Sequence, residues 1–266
     1  MIFFVLIIQN PVNLIIFTAT MCEFINDLGI NSNRKSMKKL IMIAAMMVAA
    51  VSANAQFEAG TFSIQPKVGG IISKVSNMPK LDTGLGATNV EIDPSFYSGL
   101  LIGGEFEYQV ASMFSLAAGL NFAMQGGQWE DFEFREGDNY AKLKDIKMEL
   151  SYLNLPIVAN VYLFKGFAIK TGVQFGFLLS AKQKLENEVK AGSTTINRSY
   201  DVNVKDNCNK LDIAIPIGVS YQVPTIPIYI DARYNLGLKN IIKDEFSNTS
   251  CKNQVFQVTV GYKFAL

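Results

Sequence analysis

The sequence predicts an all-β fold: an eight-stranded antiparallel up-and-down β-barrel that crosses a membrane. Apolar and polar residues alternate with period two through most of the chain, which is typical of strands with two different faces. Long and short polar connections alternate between these segments, as in barrels with long outer loops and short turns at the other end. The alternation runs through the final segment, Val255–Leu266, where aromatic residues gather.

Eight segments carry the pattern, and they predict the eight strands of one domain. Pro66 interrupts the hydrogen-bonding side of the first segment and weakens the expected pairing there. The last segment is expected to close the barrel against the first. The predicted strands lie near residues 61–74, 97–109, 114–125, 147–163, 167–180, 212–222, 228–239 and 255–266.

The chain begins with features of an export signal. Met37-Lys38-Lys39 is basic, residues 40–51 are apolar, and Ala53-Asn54-Ala55 offers small residues at a cleavage site. We therefore expect a cleaved signal peptide at residues 37–55 and a barrel domain at residues 56–266. Residues 1–36 fit an extension produced by an early start codon. The alternative is a membrane anchor, although its apolar pieces are shorter than the roughly 20 residues that span a bilayer.

Alternation alone does not say which face of the strands meets water. A soluble lipocalin-like barrel would turn its apolar face inward around a ligand. Here the polar face carries small residues and charges of both signs, which suits a narrow interior with paired charges. The sequence therefore predicts an apolar face toward lipid, with aromatic residues near the short turns forming an interfacial girdle. The expected interior charge network contains Glu105, Glu107, Lys170, Asp212, Asp231, Arg233 and Lys263, with Lys67 on the same face.

The residues give little support for chemistry. The chain has no histidine, the usual general base near neutral pH. Glu105 and Glu107 suit ion pairing with Arg233 or Lys170 better than acid–base catalysis. The acidic run at residues 129–138 lacks the spacing of an EF-hand calcium loop, and it predicts a solvated loop edge or a strand above the membrane. We expect no catalytic residue, metal or cofactor.

Two pairs of residues are expected near the outer end of the barrel, one as a candidate contact with a partner and one as a candidate disulfide. Trp129 and Phe132 lie in a polar connection and are candidates for contact with a partner. Cys208 and Cys251 each lie close to the outer end of a predicted strand, and a disulfide between them is one reading in an oxidising envelope. Two unpaired thiols are the other reading, since the two predicted strands are not neighbours.

Several segments resemble the PorT-like outer-membrane β-barrel family. They are Tyr152-Leu-Asn-Leu-Pro-Ile157, Gly176-Phe-Leu-Leu-Ser-Ala181, Asp231-Ala-Arg-Tyr-Asn-Leu-Gly-Leu238 and Gly261-Tyr-Lys-Phe264. The resemblance implies an eight-stranded outer-membrane barrel, and one founding member of the family is tied to protein secretion. The chain departs from the family at Ala265-Leu266, which follow the usual terminal aromatic. The motif residues are Tyr152, Pro156, Arg233, Tyr234, Gly237, Leu238 and Phe264.

The functional expectation is a non-enzymatic integral barrel in the outer membrane of a Gram-negative-type bacterium. Its role would be structural or loop-mediated, with an accessory part in protein secretion. The alternatives are a small-solute pore and a soluble ligand-binding barrel. Expected partners are outer-membrane lipid, the barrel-assembly machinery and an envelope or secretion protein. The residues after the expected signal peptide carry 20 basic and 21 acidic groups, a net charge of −1, which gives no case for nucleic acid, and we expect a monomer.

Overall fold

A computed structural model describes residues 58–82, 91–164, 166–223, 226–243 and 249–266. The expected signal peptide and the extension before it lie outside the described residues. Eight long strands, labelled β1 to β8 in chain order, form the body of the fold. Their bounds are β1 Phe62–Val75, β2 Tyr97–Ala111, β3 Phe114–Trp129, β4 Asn139–Phe164, β5 Phe167–Ala191, β6 Leu211–Gln222, β7 Ile228–Gly237 and β8 Asn253–Tyr262.

Short elements lie in the connections between these strands. Leu81–Asp82 pairs with Glu91–Ile92, and Pro94–Ser95 pairs with β3. Two further strands, Phe132–Glu136 and Thr194–Asn203, extend the sheet beyond β4 and β5. The remaining elements are the 3₁₀ turn Lys205–Asn207 and the two-residue strand Phe264–Ala265, which pairs with β1.

The eight long strands close into an antiparallel ring. Each pairs with the next along the chain, and β8 returns to β1 with Val68 opposite Val260. This confirms the predicted fold class and the predicted closing pair. Pro66 stays within β1 opposite Gly104, so it does not end the pairing between β1 and β2. Among the described residues no helix is long and apolar enough to cross a membrane.

The two faces of the ring have the polarity of a membrane barrel. Val68, Leu100 and Phe106 point outward and are 57%, 65% and 61% exposed. Their neighbours Gln65 and Glu105 point inward and are buried. A soluble ligand-binding barrel would show the reverse arrangement. The outward apolar band is the surface that lipid covers in a membrane-spanning barrel.

Aromatic side chains gather at the end of the barrel that carries the short turns. Their rings meet in pairs, with centroid separations of 4.6 Å for Phe62 and Tyr108 and 4.7 Å for Phe164 and Phe167. These outward pairs form the interfacial girdle that the sequence predicts. Tyr162 and Tyr229, near the same end, point inward instead and are buried.

Two strands are much longer than a membrane requires. β4 and β5 contain 26 and 25 residues, whereas a membrane-spanning strand needs about 9–11. Beyond the membrane band they pair with Phe132–Glu136 on one side and Thr194–Asn203 on the other. We call these four paired strand segments the outer sheet: Phe132–Glu136, residues 139–144 of β4, residues 182–191 of β5 and Thr194–Asn203.

The outer sheet has an apolar face and a charged face. Residues directly opposite one another in neighbouring strands share a face. One such row contains Phe134, Ala141, Val189 and Ile196 and belongs to the apolar face, which is continuous with the barrel interior. The charged face carries ion pairs, including Lys142–Glu133 at 3.2 Å and Lys182–Asp201 at 3.0 Å.

Candidate functional site

The centre of the barrel is occupied by Arg233, which pairs with Glu105 across the lumen. Arg233 Nη1 and Nη2 donate hydrogen bonds to the two carboxylate oxygens of Glu105, each at 2.7 Å. The side chains of Arg233 and Glu105 are essentially fully buried. Bidentate pairing of this kind fixes the orientation of both groups. Because Arg233 lies on β7 and Glu105 on β2, the pair connects strands that are not neighbours in the ring.

Two lysines complete this central cluster. Lys67 on β1 approaches Glu105 at 2.5 Å, and Lys170 on β5 approaches Asp231 at 2.6 Å. Arg233 Nη2 also donates to Asp231 at 3.0 Å. Each buried carboxylate therefore faces two cations, and each cation faces at least one carboxylate. Such mutual pairing offsets the large cost of removing these charges from water.

A second cluster surrounds Glu107, nearer the short turns. Ser115 Oγ donates to Glu107 at 2.6 Å and Lys263 Nζ at 3.0 Å. Gln65 Nε2 and Tyr162 Oη also donate to this carboxylate. Three donors from β1, β3 and β4, and Lys263 directly after β8, thus meet on one acceptor from β2. The cluster ties together strands from both sides of the β1–β8 closure.

Glycines on the inner face make room for these side chains. A Cβ atom added at Gly119 would lie 2.4 Å from Cγ of Glu105, and one at Gly218 would lie 2.7 Å from Cγ of Arg233. Both distances are far below van der Waals contact. The small residues that suggested a narrow interior therefore stand directly beside the central ion pair.

The structure brings most of the predicted interior charges together, with one exception. Asp212, at the outer end of β6, accepts a hydrogen bond from Asn253 Nδ2 at 2.7 Å and lies outside both clusters. Its expected place in the ion-pair network is wrong, because it sits higher in the barrel beside Asn253. The prediction omitted the neutral donors Gln65 and Ser115, although their inward parity in the period-two pattern could have identified them.

The outer mouth of the barrel holds an apolar cavity of about 190 Å³. Trp129 lies in its wall, only 7% exposed, and its Nε1 donates to the backbone oxygen of Pro79 at 2.8 Å. The expectation that Trp129 contacts a partner is therefore wrong, because its ring packs with Ile92 and Ile146. Phe132 packs against the same cluster and is only partly accessible.

Cys208 and Cys251 lie in the wall of the same cavity, buried and with free thiols. The disulfide reading fails in this structure because another segment runs between the two cysteines. Cys208 bridges to Ile242, and Ile241 N donates to Cys251 O at 2.8 Å. Cysteines on either side of an intervening strand have Cα atoms about 9.5 Å apart, twice the spacing between neighbouring strands. A disulfide joins Cα atoms that are roughly 4.4–6.8 Å apart. Burial raises the pKa of the Cys208 thiol to about 11 and raises that of Cys251.

The motif residues divide between the two faces of the barrel. Tyr152 is fully buried near the outer end and accepts from Asn253 Nδ2 at 3.4 Å, while Gly237 also faces inward. Pro156 lies within β4 opposite Gln174 of β5. Tyr234, Leu238 and Phe264 point outward and are 38%, 46% and 50% exposed. Arg233 thus joins the motif to the central cluster, whereas the outward members belong to the lipid-facing surface.

Fold and site together define a transmembrane β-barrel whose interior is filled by a buried ion-pair network. In agreement, residues 54–243 match the family model described as outer membrane protein beta-barrel domain. The chain belongs to this family of outer-membrane proteins.

Solved outer-membrane barrels show a distant structural similarity to the chain. Ail, the attachment invasion locus protein of Yersinia pestis, is 13% identical, with 77% of this chain and 99% of that chain covered and a TM-score of 0.35. Neisserial surface protein A is 11% identical, with 76% of this chain and 97% of that chain covered and a TM-score of 0.37. OprG of Pseudomonas aeruginosa is 15% identical, with 79% of this chain and 99% of that chain covered and a TM-score of 0.35. The comparison with curated proteins found no match.

Proposed function

We propose that the chain is a non-enzymatic outer-membrane barrel that anchors an interaction surface, the outer sheet, above the membrane. One observation carries the proposal: the lumen is filled by paired charges, while β4 and β5 continue well beyond the membrane band. The network serves stability, since its ionisable groups bind one another. The projecting part of the molecule is then the part available to a partner.

The proposed partner-binding region is the apolar face of the outer sheet. Phe134 and Ile196 on this face are 45% and 50% exposed, outside the lipid-covered band. Exposed apolar surface that lipid does not cover is a common mark of a protein interface. This replaces Trp129 as the candidate contact, because Trp129 is buried.

We also propose that the chain is a member of the PorT-like group and that a signal peptide directs it to the outer membrane. Membership of the PorT-like group is supported by the motif at Asp231–Leu238, whose Arg233 lies in the central ion pair. Residues 37–55 would act as a signal peptide in a Gram-negative-type bacterium, and the barrel-assembly machinery would insert residues 56–266. An accessory role in protein secretion, through an envelope or secretion protein partner, follows from that group resemblance.

A deletion strain complemented with two sets of variants tests the proposal. Phe134→Lys with Ile196→Lys changes the apolar face, and Lys190→Gln with Thr195→Ser changes the charged face as a matched control. We expect both proteins to reach the outer membrane and to migrate as heat-modifiable bands. Only the apolar-face variant should fail to restore the secreted-protein profile or envelope phenotype of the wild type. Equal complementation by both variants would contradict the proposed surface.

A further inference from the structure

The two edges of the outer sheet differ in how well they are protected against pairing. The edge strand Phe132–Glu136 has five residues, three of them charged. The opposite edge, Thr194–Asn203, has ten residues, all exposed, and pairs with β5 without a bulge. It contains neither proline nor lysine. Short length, charge, proline and bulges are the devices that keep edge strands from pairing, and the second edge lacks most of them.

Thr194–Asn203 therefore presents a long row of backbone donors and acceptors. Within the part of the chain that the structure describes, no strand pairs with its far side. Its apolar-face side chains are also uncovered: Ile196, Tyr200 and Val202 are 50%, 44% and 54% exposed. An added antiparallel strand would satisfy the backbone groups and cover these side chains together.

The strand is complementary to a second copy of itself. When two copies run antiparallel with Ser199 opposite Ser199, Ile196 faces Val202 and Arg198 faces Tyr200, each pair occurring twice by symmetry. All four residues lie on the apolar face, because they alternate along the strand. Apolar pairs and cation–aromatic pairs across strands are both stabilising.

Two other symmetric registers are worse. A register centred on Arg198 would oppose two guanidinium groups, and one centred on Asp201 would oppose two carboxylates. Like charges directly opposite in a sheet are destabilising. On the charged side of the strand, the register centred on Ser199 places Asn197 opposite Asp201, a pairing of an amide donor with a carboxylate acceptor. Like-charge repulsion therefore favours the register centred on Ser199 over those two.

We propose that Thr194–Asn203 is a self-association strand that pairs antiparallel with the same strand of a second copy of this chain. The outer sheets of the two copies then form one continuous eight-stranded sheet. The inference rests on the proposed function, in which the outer sheet is the interaction surface, and it adds a second copy of this chain as a partner at one edge of that sheet. It departs from the monomer that we expected from sequence.

The symmetry of this pairing constrains where the second copy lies. A two-fold axis perpendicular to the sheet reverses the strand direction. Thr194–Asn203 pairs with the outer part of β5, which continues directly from the membrane-spanning strand. The second copy therefore points its barrel the opposite way, as it would in a facing membrane. The contact joins two membranes and not two neighbours within one membrane.

A symmetric disulfide tests the register directly. Opposed residues in an antiparallel pair have Cα atoms about 4.5–5.5 Å apart, within the range of a disulfide. Ser199→Cys should give a covalent dimer when copper–phenanthroline takes two electrons from the thiol pair and the two protons leave to solvent. Thr195→Cys is the matched control, since it is also exposed on the same face of the same strand but its symmetry mates lie about 27 Å apart. We expect about tenfold more dimer from Ser199→Cys.

Vesicle clustering tests the contact between membranes. Proteoliposomes carrying the wild type should cluster, whereas Ile196→Glu with Val202→Glu should abolish clustering because four carboxylates would meet. Val189→Glu, on the adjacent strand of the same face, should leave clustering intact. Equal crosslinking at positions 199 and 195, or clustering that survives the double substitution, would overturn the inference. A protein that fails to show a heat-modifiable band would instead contradict the proposed membrane barrel.

Discussion

At the scale of single residues, Arg233 has the largest influence on the barrel interior. Its guanidinium contacts Glu105 twice and Asp231 twice, and it is essentially fully buried. A buried ion pair adds little net stability compared with apolar packing, because desolvation opposes the attraction. Removing one partner is different, since the remaining charges keep the desolvation cost and lose the attraction that offset it.

The first prediction therefore concerns Arg233→Ala. Truncation leaves Glu105 paired only with Lys67 and opens a void in the central cluster. We expect the free energy of unfolding to fall by roughly 3–5 kcal/mol, the usual cost of breaking a buried pair. Urea titration in detergent micelles, followed by gel mobility without heating, measures it. Arg135→Ala, which removes an exposed arginine from the outer sheet, is the control and should change stability little.

The second prediction concerns Cys208 and Cys251. Burial hides both thiols and raises the pKa of each, that of Cys208 to about 11, so both stay protonated at pH 8. Iodoacetamide should label neither cysteine in the folded protein and both after unfolding in urea, as read by mass spectrometry. An exposed Asp138→Cys thiol, in the turn before β4, provides the fast-reacting control. Rapid labelling of the folded protein, or a disulfide-linked band without reductant, would contradict this account.

At the scale of elements, the barrel strands were predictable, whereas of the outer sheet only a strand within residues 129–138 was anticipated, as one of two interpretations. Period-two alternation located the membrane-spanning part of all eight strands, because each keeps one face in lipid. The pattern breaks in the outer part of β4, where Lys144 pairs with Glu186 but Lys147 pairs with Lys184. Asp145 occupies this bulge with a φ of 51°. A bulge shifts the alternation by one residue. The run at residues 129–138 was predicted as a solvated loop edge or a strand above the membrane, and the structure has the strand Phe132–Glu136 there.

The third prediction concerns the pH dependence of the outer sheet. Tyr140 donates to Glu188 at 2.6 Å and Lys144 at 3.3 Å, and these contacts hold the pKa of Glu188 below its usual 4.5. A carboxyl whose pKa is lowered by folding stabilises the fold above its unfolded pKa and loses that effect as pH falls through its folded pKa. We expect the outer sheet to loosen below about pH 4.5 while the barrel stays closed.

Backbone chemical shifts of residues 139–144 and 182–191, followed by NMR in micelles from pH 7 to pH 3, measure this change. Glu188→Gln is the control, because the amide cannot titrate and its shifts should move less over the same interval. The effect is small, since these groups are exposed and screened. Shifts that stay constant in the wild type down to pH 3 would contradict the role of Glu188.

At the scale of the whole molecule, sequence parity predicted which charges face inward and only part of how they pair. Glu105 and Glu107 were expected to pair with Arg233 or Lys170. Arg233 does pair with Glu105, whereas Lys170 pairs with Asp231 and Glu107 with Lys263. The odd or even position of a residue in a strand tells which face its side chain is on. Which charges form ion pairs depends also on how the strands are staggered around the ring and on the lengths of the side chains. Trp129 was misassigned for a related reason, since its burial depends on Ile92 and Ile146, which are distant in sequence.

The fourth prediction concerns conduction through the barrel. An eight-stranded interior is just wide enough for side chains to fill, and here the buried network spans it from β2 to β7. We expect no stable single-channel currents from the purified protein in planar bilayers. Well-defined unitary currents from the wild type would favour the pore alternative over the anchoring role.

The central claim is that the apolar faces of the barrel strands meet lipid, and spin labels on β8 and the outer sheet test it most directly. With Cys208 and Cys251 replaced by alanine, single cysteines at Val258 and Thr195 are labelled in proteoliposomes, and collisions with oxygen and with a water-soluble nickel chelate are measured. Val258 is 42% exposed on the apolar band, and Thr195 is exposed on the outer sheet. The account predicts that oxygen dominates at Val258 and nickel at Thr195. A label at Val258 reached mainly by nickel, or by neither reagent, would contradict it.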